Sequence, residues 1–180
     1  MIEAALVPYP QELEREVVLR DGARLRIRPI RPEDEPRLME FHERLSRHTA
    51  YQRFFAVTRR LSPEWAHFLA NVDYRRRLAL VVEREPGELV AVARYEPTDR
   101  DDTAEVAFVV QDDWQNRGLG TLLLGDLLQA AEARGISRFR AYVLADNTRM
   151  LDLLLRFTRV LERTFDSGVV TVLATRTPTR

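Results

Sequence analysis

The stretch that most constrains this chain is Gln115-Asn116-Arg117-Gly118-Leu119-Gly120. Before it lies an apolar run, Val106-Ala107-Phe108-Val109-Val110, that reads as a strand. After it, Leu119, Leu122, Leu123, Leu127, Ala130 and Ala131 recur at helical spacing towards Arg134. A strand therefore ends, a short polar loop turns, and two glycines stand at a helix start. Without Cβ atoms, Gly118 and Gly120 let the backbone bend sharply and let a ligand approach closely. The N–H groups of a first helical turn have no acceptor within the helix and sit at the positive end of its dipole. The loop is thus an anion site suited to phosphate, with Arg117 beside it. It is not a P-loop, because no lysine follows. It is not a dinucleotide fingerprint either, because Leu123 stands where the third glycine belongs. A glycine-rich turn without a ligand is the plainer alternative.

The chain has 180 residues, which suits one domain able to bury about 70% of its unfolded surface. Its formal charge is zero, so no broad attraction to nucleic acid or an anionic membrane is expected. There is no cysteine, which excludes disulfides, thiolate metal sites and a cysteine nucleophile. His42, His48 and His67 lack metal-ligand spacing and read as surface or core residues, so no metal is expected. All 28 basic residues are arginine, so no lysine Schiff base can form. No apolar run approaches the ~20 residues of a membrane helix, and the acidic N-terminal stretch lacks a signal's basic region. A cytoplasmic protein is the expectation.

Along the chain, residues 1–15 read as an N-terminal arm broken by Pro8 and Pro10, and residues 16–180 as a single domain. Asp21-Gly22 predicts a hairpin between Val17–Arg20 and Arg24–Ile30. The arginines alternating with Leu25 and Ile27 read as a solvated face. Helices are expected from Pro32 to Ser46, from His48 to Val57, and from the N-cap Ser62 through Leu69. Strands follow at Leu78–Glu83 and Leu89–Tyr95 about a Pro86-Gly87 turn, then at Ala104–Val110. After the glycine loop and its helix, Gly135 marks a helix end and Phe139–Leu144 a strand. Asp146 or Asn147 caps a further helix, and strands at Val160–Phe165 and Val169–Ala174 flank Asp166-Ser167-Gly168. The fold class expected is α/β (α+β), with a mixed, mostly antiparallel sheet flanked by helices.

That order, with Q-x-x-G-x-G between a strand and a helix, resembles the GNAT superfamily of N-acetyltransferases over about residues 15–176. More narrowly it resembles the GNAT domain of bacterial Pat-type protein lysine acetyltransferases. The matching segments are Leu25-Arg26-Ile27-Arg28-Pro29-Ile30, Pro32-Glu33-Asp34, Tyr51-Gln52-Arg53-Phe54-Phe55, Ala104-Glu105-Val106-Ala107 and Asp146-Asn147-Thr148-Arg149-Met150-Leu151. The resemblance implies an acyl-CoA fold whose sheet splays open at the cofactor site, with acetyl-CoA as co-substrate. It implies that Gln115, Asn116, Arg117, Gly118, Leu119, Gly120 and Thr121 grip the pyrophosphate. Phe108, Val109 and Val110 would hold the pantetheine arm through backbone groups, as an added strand does. Asn147 would approach CoA, or serve only as a helix N-cap.

Glu105 is the candidate general base. It points to the sheet face opposite Val106 and Phe108, and apolar walls there would raise its pKa towards neutrality. A surface glutamate at the strand entrance is the alternative. Many GNAT enzymes carry a proton-donating tyrosine seven residues after the asparagine; here that position is Leu154. The Pat type also lacks it, and a thiol of pKa ~8.5 can leave without an acid. The Gly-Phe usual after that helix is replaced by Phe157-Thr158-Arg159. The resemblance implies transfer of an acetyl group to a protein lysine. A small-molecule amine acceptor and a non-catalytic acyl-CoA-binding module are the alternatives, and a homodimer stays open.

Overall fold

The computed structural model describes residues 7–55, 60–85 and 87–177. A hairpin opens it, β1 (Arg15–Val18) against β2 (Arg24–Pro29). Its turn is closed by Leu19 N to Ala23 O and Gly22 N to Leu19 O, both 2.9 Å. Gly22 sits at φ +88°, where a side chain would be strained. Helices α1 (Glu35–Arg44), α2 (Arg47–Phe54) and α3 (Pro63–Ala70) follow. Ser46 Oγ and Ser62 Oγ cap α2 and α3 by accepting from Thr49 N and Trp65 N, each at 3.1 Å. Then come β3 (Leu78–Arg84), β4 (Glu88–Pro97), β5 (Thr103–Val110), α4 (Leu119–Ala133), β6 (Arg138–Leu144), α5 (Thr148–Phe157), β7 (Thr158–Asp166) and β8 (Val169–Arg176).

The strands form one sheet in the order β1-β2-β3-β4-β5-β6-β8-β7. Every neighbouring pair is antiparallel except β5 and β6, which run parallel. The mixed, mostly antiparallel α/β fold is therefore the one expected. The anticipated second helix reaches into residues 56–57 and the anticipated turn includes Pro86; these lie outside the described residues.

The sheet is buried on two sides. Leu123, Leu124, Leu127 and Leu128 of α4 pack on Leu78, Leu80, Ala91, Ala93 and Val106. On the opposite face, α1 and α3 bring Leu38, Phe41, Ala66 and Leu69 against Ala79, Val81, Val92 and Val109. The central strands β3, β4 and β5 alternate their side chains between these two cores, which fixes their register.

Two local readings change. The arginine face of β2 is solvated only in part: Arg24 and Arg26 are exposed, but Arg28 is 1% exposed. It donates to both carboxylate oxygens of Asp34 at 2.7 Å and to Glu83 at 2.6 Å. The end of β2 is roofed by the turn Pro32–Asp34 and by α1, so alternation there no longer separates core from water. The described part of the arm is also anchored. The Tyr9 hydroxyl donates to Glu14 at 2.8 Å and to Pro29 O at 3.1 Å.

Candidate active site

β5 and β6 pair only at Thr103–Arg138, Ala104–Phe139 and Glu105–Arg140. Beyond Glu105 they diverge, while β5 stays paired with β4 along its whole length. A cleft of about 360 Å³ fills the gap. Its walls are Ala107–Val110 of β5, Tyr142 and Val143 of β6, the glycine loop, the start of α5, and the inner side of α2.

Backbone alternation decides what β5 offers to this cleft. Gln111 N bonds Val90 O on β4 at 2.9 Å. Residues alternate in direction along a strand, so Val109 and Ala107 also turn their N–H and C=O groups to β4. Those of Phe108 and Val110 point into the splay. Val110 O is taken by Gln115 Nε2 at 2.9 Å. The Phe108 N–H and C=O and the Val110 N–H are left facing the cleft. Val109 lines it by position only, for its side chain sits in the α1–α3 core.

The glycine loop is held from several sides. Gln115 Oε1 accepts from Arg149 Nη1 at 2.6 Å. Asp112 takes Ser46 N at 3.0 Å, Ser46 Oγ at 2.7 Å and Thr49 Oγ1 at 2.9 Å, and so ties α2 to the loop. Burial pushes the Asp112 carboxyl up, but these donors outweigh it and hold the group below its ordinary value. The first intrahelical bond of α4 runs from Leu122 N to Gly118 O at 3.3 Å. The amides of Leu119, Gly120 and Thr121 therefore have no acceptor within the helix.

The two glycines do different work. Gly118 has φ +84°, a conformation that strains a side chain, and the space where its Cβ would stand is open, with nothing within 4 Å. A Cβ on Gly120 would lie 3.3 Å from Leu153 Cδ2 and 3.5 Å from Phe108 Cε2, so this glycine lets α4, α5 and β5 close up. A run of free amides, an unpaired strand edge and an open approach fit a phosphate-bearing, amide-containing ligand such as acetyl-CoA.

Of the residues expected to bind the cofactor, Phe108, Val109, Val110, Gln115, Asn116, Gly120 and Asn147 line the cleft. Asn147 is also the α5 N-cap, its Oδ1 accepting from Met150 N at 3.3 Å, so the helix-cap reading of it holds. Gly118, Leu119 and Thr121 are not among the residues that line the cleft, and Leu119 is 1% exposed. Arg117 is turned away: its Nε donates to Asp21 at 2.6 Å, and its guanidinium stacks 4.0 Å from the Trp114 ring centroid. Beside the glycine loop the arginine that lines the cleft is Arg149; Arg53 of α2 also lines it.

Glu105 stands at the point where β5 and β6 part. It is exposed, opposite Glu96 on β4 and Arg140 on β6. The walls around it are charged and open to water, and the apolar setting expected for it is absent. Leu154 lies in the core at 3% exposure, and Leu153 forms the cleft wall. α5 passes into β7 without a loop, where Thr158 Oγ1 donates to Leu154 O at 2.6 Å and closes the helix. Sequence reasoning missed His48, Gln52 and Arg53 of α2, Tyr142 of β6, and Arg149. Arg53 and Arg149 lie in segments that carry the family resemblance, and their charge in an otherwise ordinary helix was the available signal.

Residues 24–157 match the family model for the acetyltransferase (GNAT) domain. The chain belongs to the GNAT acetyltransferase family. It is 36% identical over 171 residues to the acetyltransferase Pat of Mycolicibacterium smegmatis, covering 94% of this chain and 49% of that protein. The chain thus spans about half the length of that relative. It is 34% identical to the acetyltransferase PA5475 of Pseudomonas aeruginosa, covering 75% of this chain and 74% of the relative. Among solved structures, the GNAT domain of S. lividans PAT superposes with a TM-score of 0.84 at 39% identity, covering 92% of this chain and 98% of that one. These likenesses bear out the GNAT fold and the Pat-type resemblance read from the sequence. Among the described residues no group of histidines or acids could hold a metal ion, and no helix is long and apolar enough to cross a membrane.

Proposed function

We propose that this chain transfers an acetyl group from acetyl-CoA to the amine of a protein lysine by direct attack, in the cytoplasm, with Glu105 as the base. The observation that carries the reading is the splay itself. It brings free helix-start amides and an unpaired strand edge to one cleft, and leaves the Glu105 carboxylate at the point where the strands part, outside the cleft's lining. The acetyl thioester would supply the activated acyl group. The chain's own groups supply the rest. The amides of Leu119–Thr121 would grip phosphate, and the Phe108 N–H, which faces the cleft, would polarise the thioester carbonyl. Glu105 receives the proton that the ammonium must lose, directly or through one water. With no cysteine present, an acetyl-cysteine intermediate is excluded, which supports a ternary complex. A protein acceptor is favoured over a small amine because Glu105 lies at an exposed strand crossing, not in a closed pocket.

The test is acetyl transfer to whole-cell protein, scored by mass spectrometry on lysines, against a panel of polyamines, amino acids and aminoglycosides. Acetylated protein lysines with negligible turnover of the panel support the reading. Efficient turnover of one small amine alone overturns it.

A further inference from the structure

Where β5 and β6 part, beside the cleft, the fold gathers more arginines than carboxylates. Arg53 on α2 lines the cleft and is only partly exposed. Burial pulls its guanidinium below the ordinary range, and the charges facing it are Glu105 and Glu96. Glu96 is already occupied. Arg77 holds it through two bonds of 2.6 and 3.1 Å, and Arg94 through one of 2.9 Å. Arg140, also partly buried, stands across from Glu105 in the β5–β6 register. Among the described residues, neither Arg53, Arg140 nor Glu105 makes a hydrogen bond or ion pair at its charged end. Around this parting four guanidiniums therefore stand against Glu96 and Glu105, and of these two carboxylates only Glu105 has no hydrogen-bonded partner; Asp112 and Asp146 lie farther along the cleft lining.

A partly desolvated guanidinium without an anion is costly, and its planar fork suits a carboxylate. An acceptor amine arrives as an ammonium and meets this excess of like charge on its way to Glu105. An acceptor that carries its own negative charge removes both penalties. We propose that Arg53 is a carboxylate-binding subsite, and that the favoured acceptor bears a carboxylate close to its reacting amine. In a polypeptide this is an aspartate or glutamate flanking the lysine; in a free amino acid it is the α-carboxylate. The inference rests on the amine-acetylation reading above and narrows its substrate.

The test compares kcat/KM within matched pairs. One pair is a lysine peptide with Asp or Asn placed in turn on either side of the lysine. The other is free lysine against its α-amide. Wild type should favour the carboxylate member of a pair by about tenfold, the scale of a hydrogen bond to a charged group. In Arg53→Gln that ratio should fall to about one. Because a ratio is read, a general loss of activity in the variant does not disturb it, and the wild-type ratio stands without the variant. Preference in the peptide pair alone assigns the charge to a polypeptide side chain; preference in the lysine pair alone assigns it to an α-carboxylate. Equal wild-type rates within both pairs overturn the inference and leave amine acetylation intact. A preference that survives Arg53→Gln also overturns it. No transfer to any amine, with acetyl-CoA still bound, overturns the proposed function and this inference together.

Discussion

Two groups of charges lie on the α1–α3 side of the same sheet, and they are used in opposite ways. At the β2 end, Asp34 is fully buried and has both oxygens filled. Arg28 donates twice at 2.7 Å, Arg31 N once at 2.8 Å and Arg37 once at 3.0 Å. At the parting of β5 and β6, Glu105 stands opposite Arg140 in register and near Arg53, whose guanidinium stacks 4.7 Å from the Phe54 ring centroid, and no hydrogen bond or ion pair joins the three. The difference follows from strand pairing. Where the sheet is fully zipped and roofed by helices, an unpaired charge would lose its water with no return, so each is matched. Where two strands part, water and ligand can enter, and charges can stay unmatched. Similar side chains thus hold the fold together in one place and stay unmatched in the other.

The sharpest way to break the comparison is to remove the unmatched carboxylate. Glu105→Gln keeps the size and the strand but cannot take a proton. A lysine amine of pKa ~10.4 is below about 0.1% neutral at pH 7, and a positioned base contributes roughly 10²–10⁴-fold. The variant should lose kcat on that scale while binding acetyl-CoA nearly as before. The loss should shrink at high pH, where more amine arrives neutral. The measurement is kcat/KM against pH on one peptide acceptor. Retention of more than about a third of wild-type activity at neutral pH would rule Glu105 out as base.

The matched cluster should answer in stability instead. Asp34→Asn leaves Arg28 short of its main partner, and breaking a buried pair costs about 3–5 kcal/mol. Burial alone would raise the Asp34 carboxyl, but the Arg28 hydrogen bonds, the Arg31 N–H and the nearby charges win and lower it. Its folded pKa is thus below its unfolded value of ~3.9. The stability it confers is fully present above that value and is lost as pH falls through the folded pKa. Urea unfolding at pH 7 should show the full deficit, and the gap to wild type should narrow below about pH 4. An equal gap at both pH values would mean that packing, not charge, accounts for the loss.

The sequence made the scaffold legible because local rules decided it. Asp21-Gly22 carries its own turn, Ser62 and Asn147 their own caps, and the leucines of α4 their own period. The glycine loop and the Glu105 strand were found the same way. What stayed hidden depends on partners distant in sequence. Arg28 follows a polar alternation yet is roofed by α1. Arg53 becomes a cleft residue only because β5 and β6 diverge opposite α2. Nothing within Gln115–Gly120 says that Arg117 will find Asp21, which lies 96 positions away. Glu105 was read correctly in direction, but its walls come from β4 and β6, whose register no single strand reveals.

The smallest effect expected separates the two arginines of the cofactor end. Reading along the chain puts Arg117 beside the phosphate; in the fold Arg117 is held by Asp21 and Trp114, and Arg149 lines the cleft. Arg117 is already neutralised by Asp21, whose carboxyl it holds below the usual range by hydrogen bonding, and it also stacks on Trp114. Recruiting it to a phosphate would mean breaking both contacts. Arg149 is exposed, lines the cleft, and donates to Gln115, an uncharged partner that it can share with an anion. Arg149→Gln should therefore weaken acetyl-CoA binding by about three- to tenfold, the range of an exposed to half-buried charge contact. Arg117→Gln should change it by less than about twofold. Calorimetry at low and at moderate salt checks this, because the Arg149 contribution should shrink as salt screens it while the small Arg117 effect stays flat. A larger loss for Arg117→Gln would mean that Arg117 leaves Asp21 when acetyl-CoA binds. Asp21→Asn, by freeing the guanidinium, should then tighten binding.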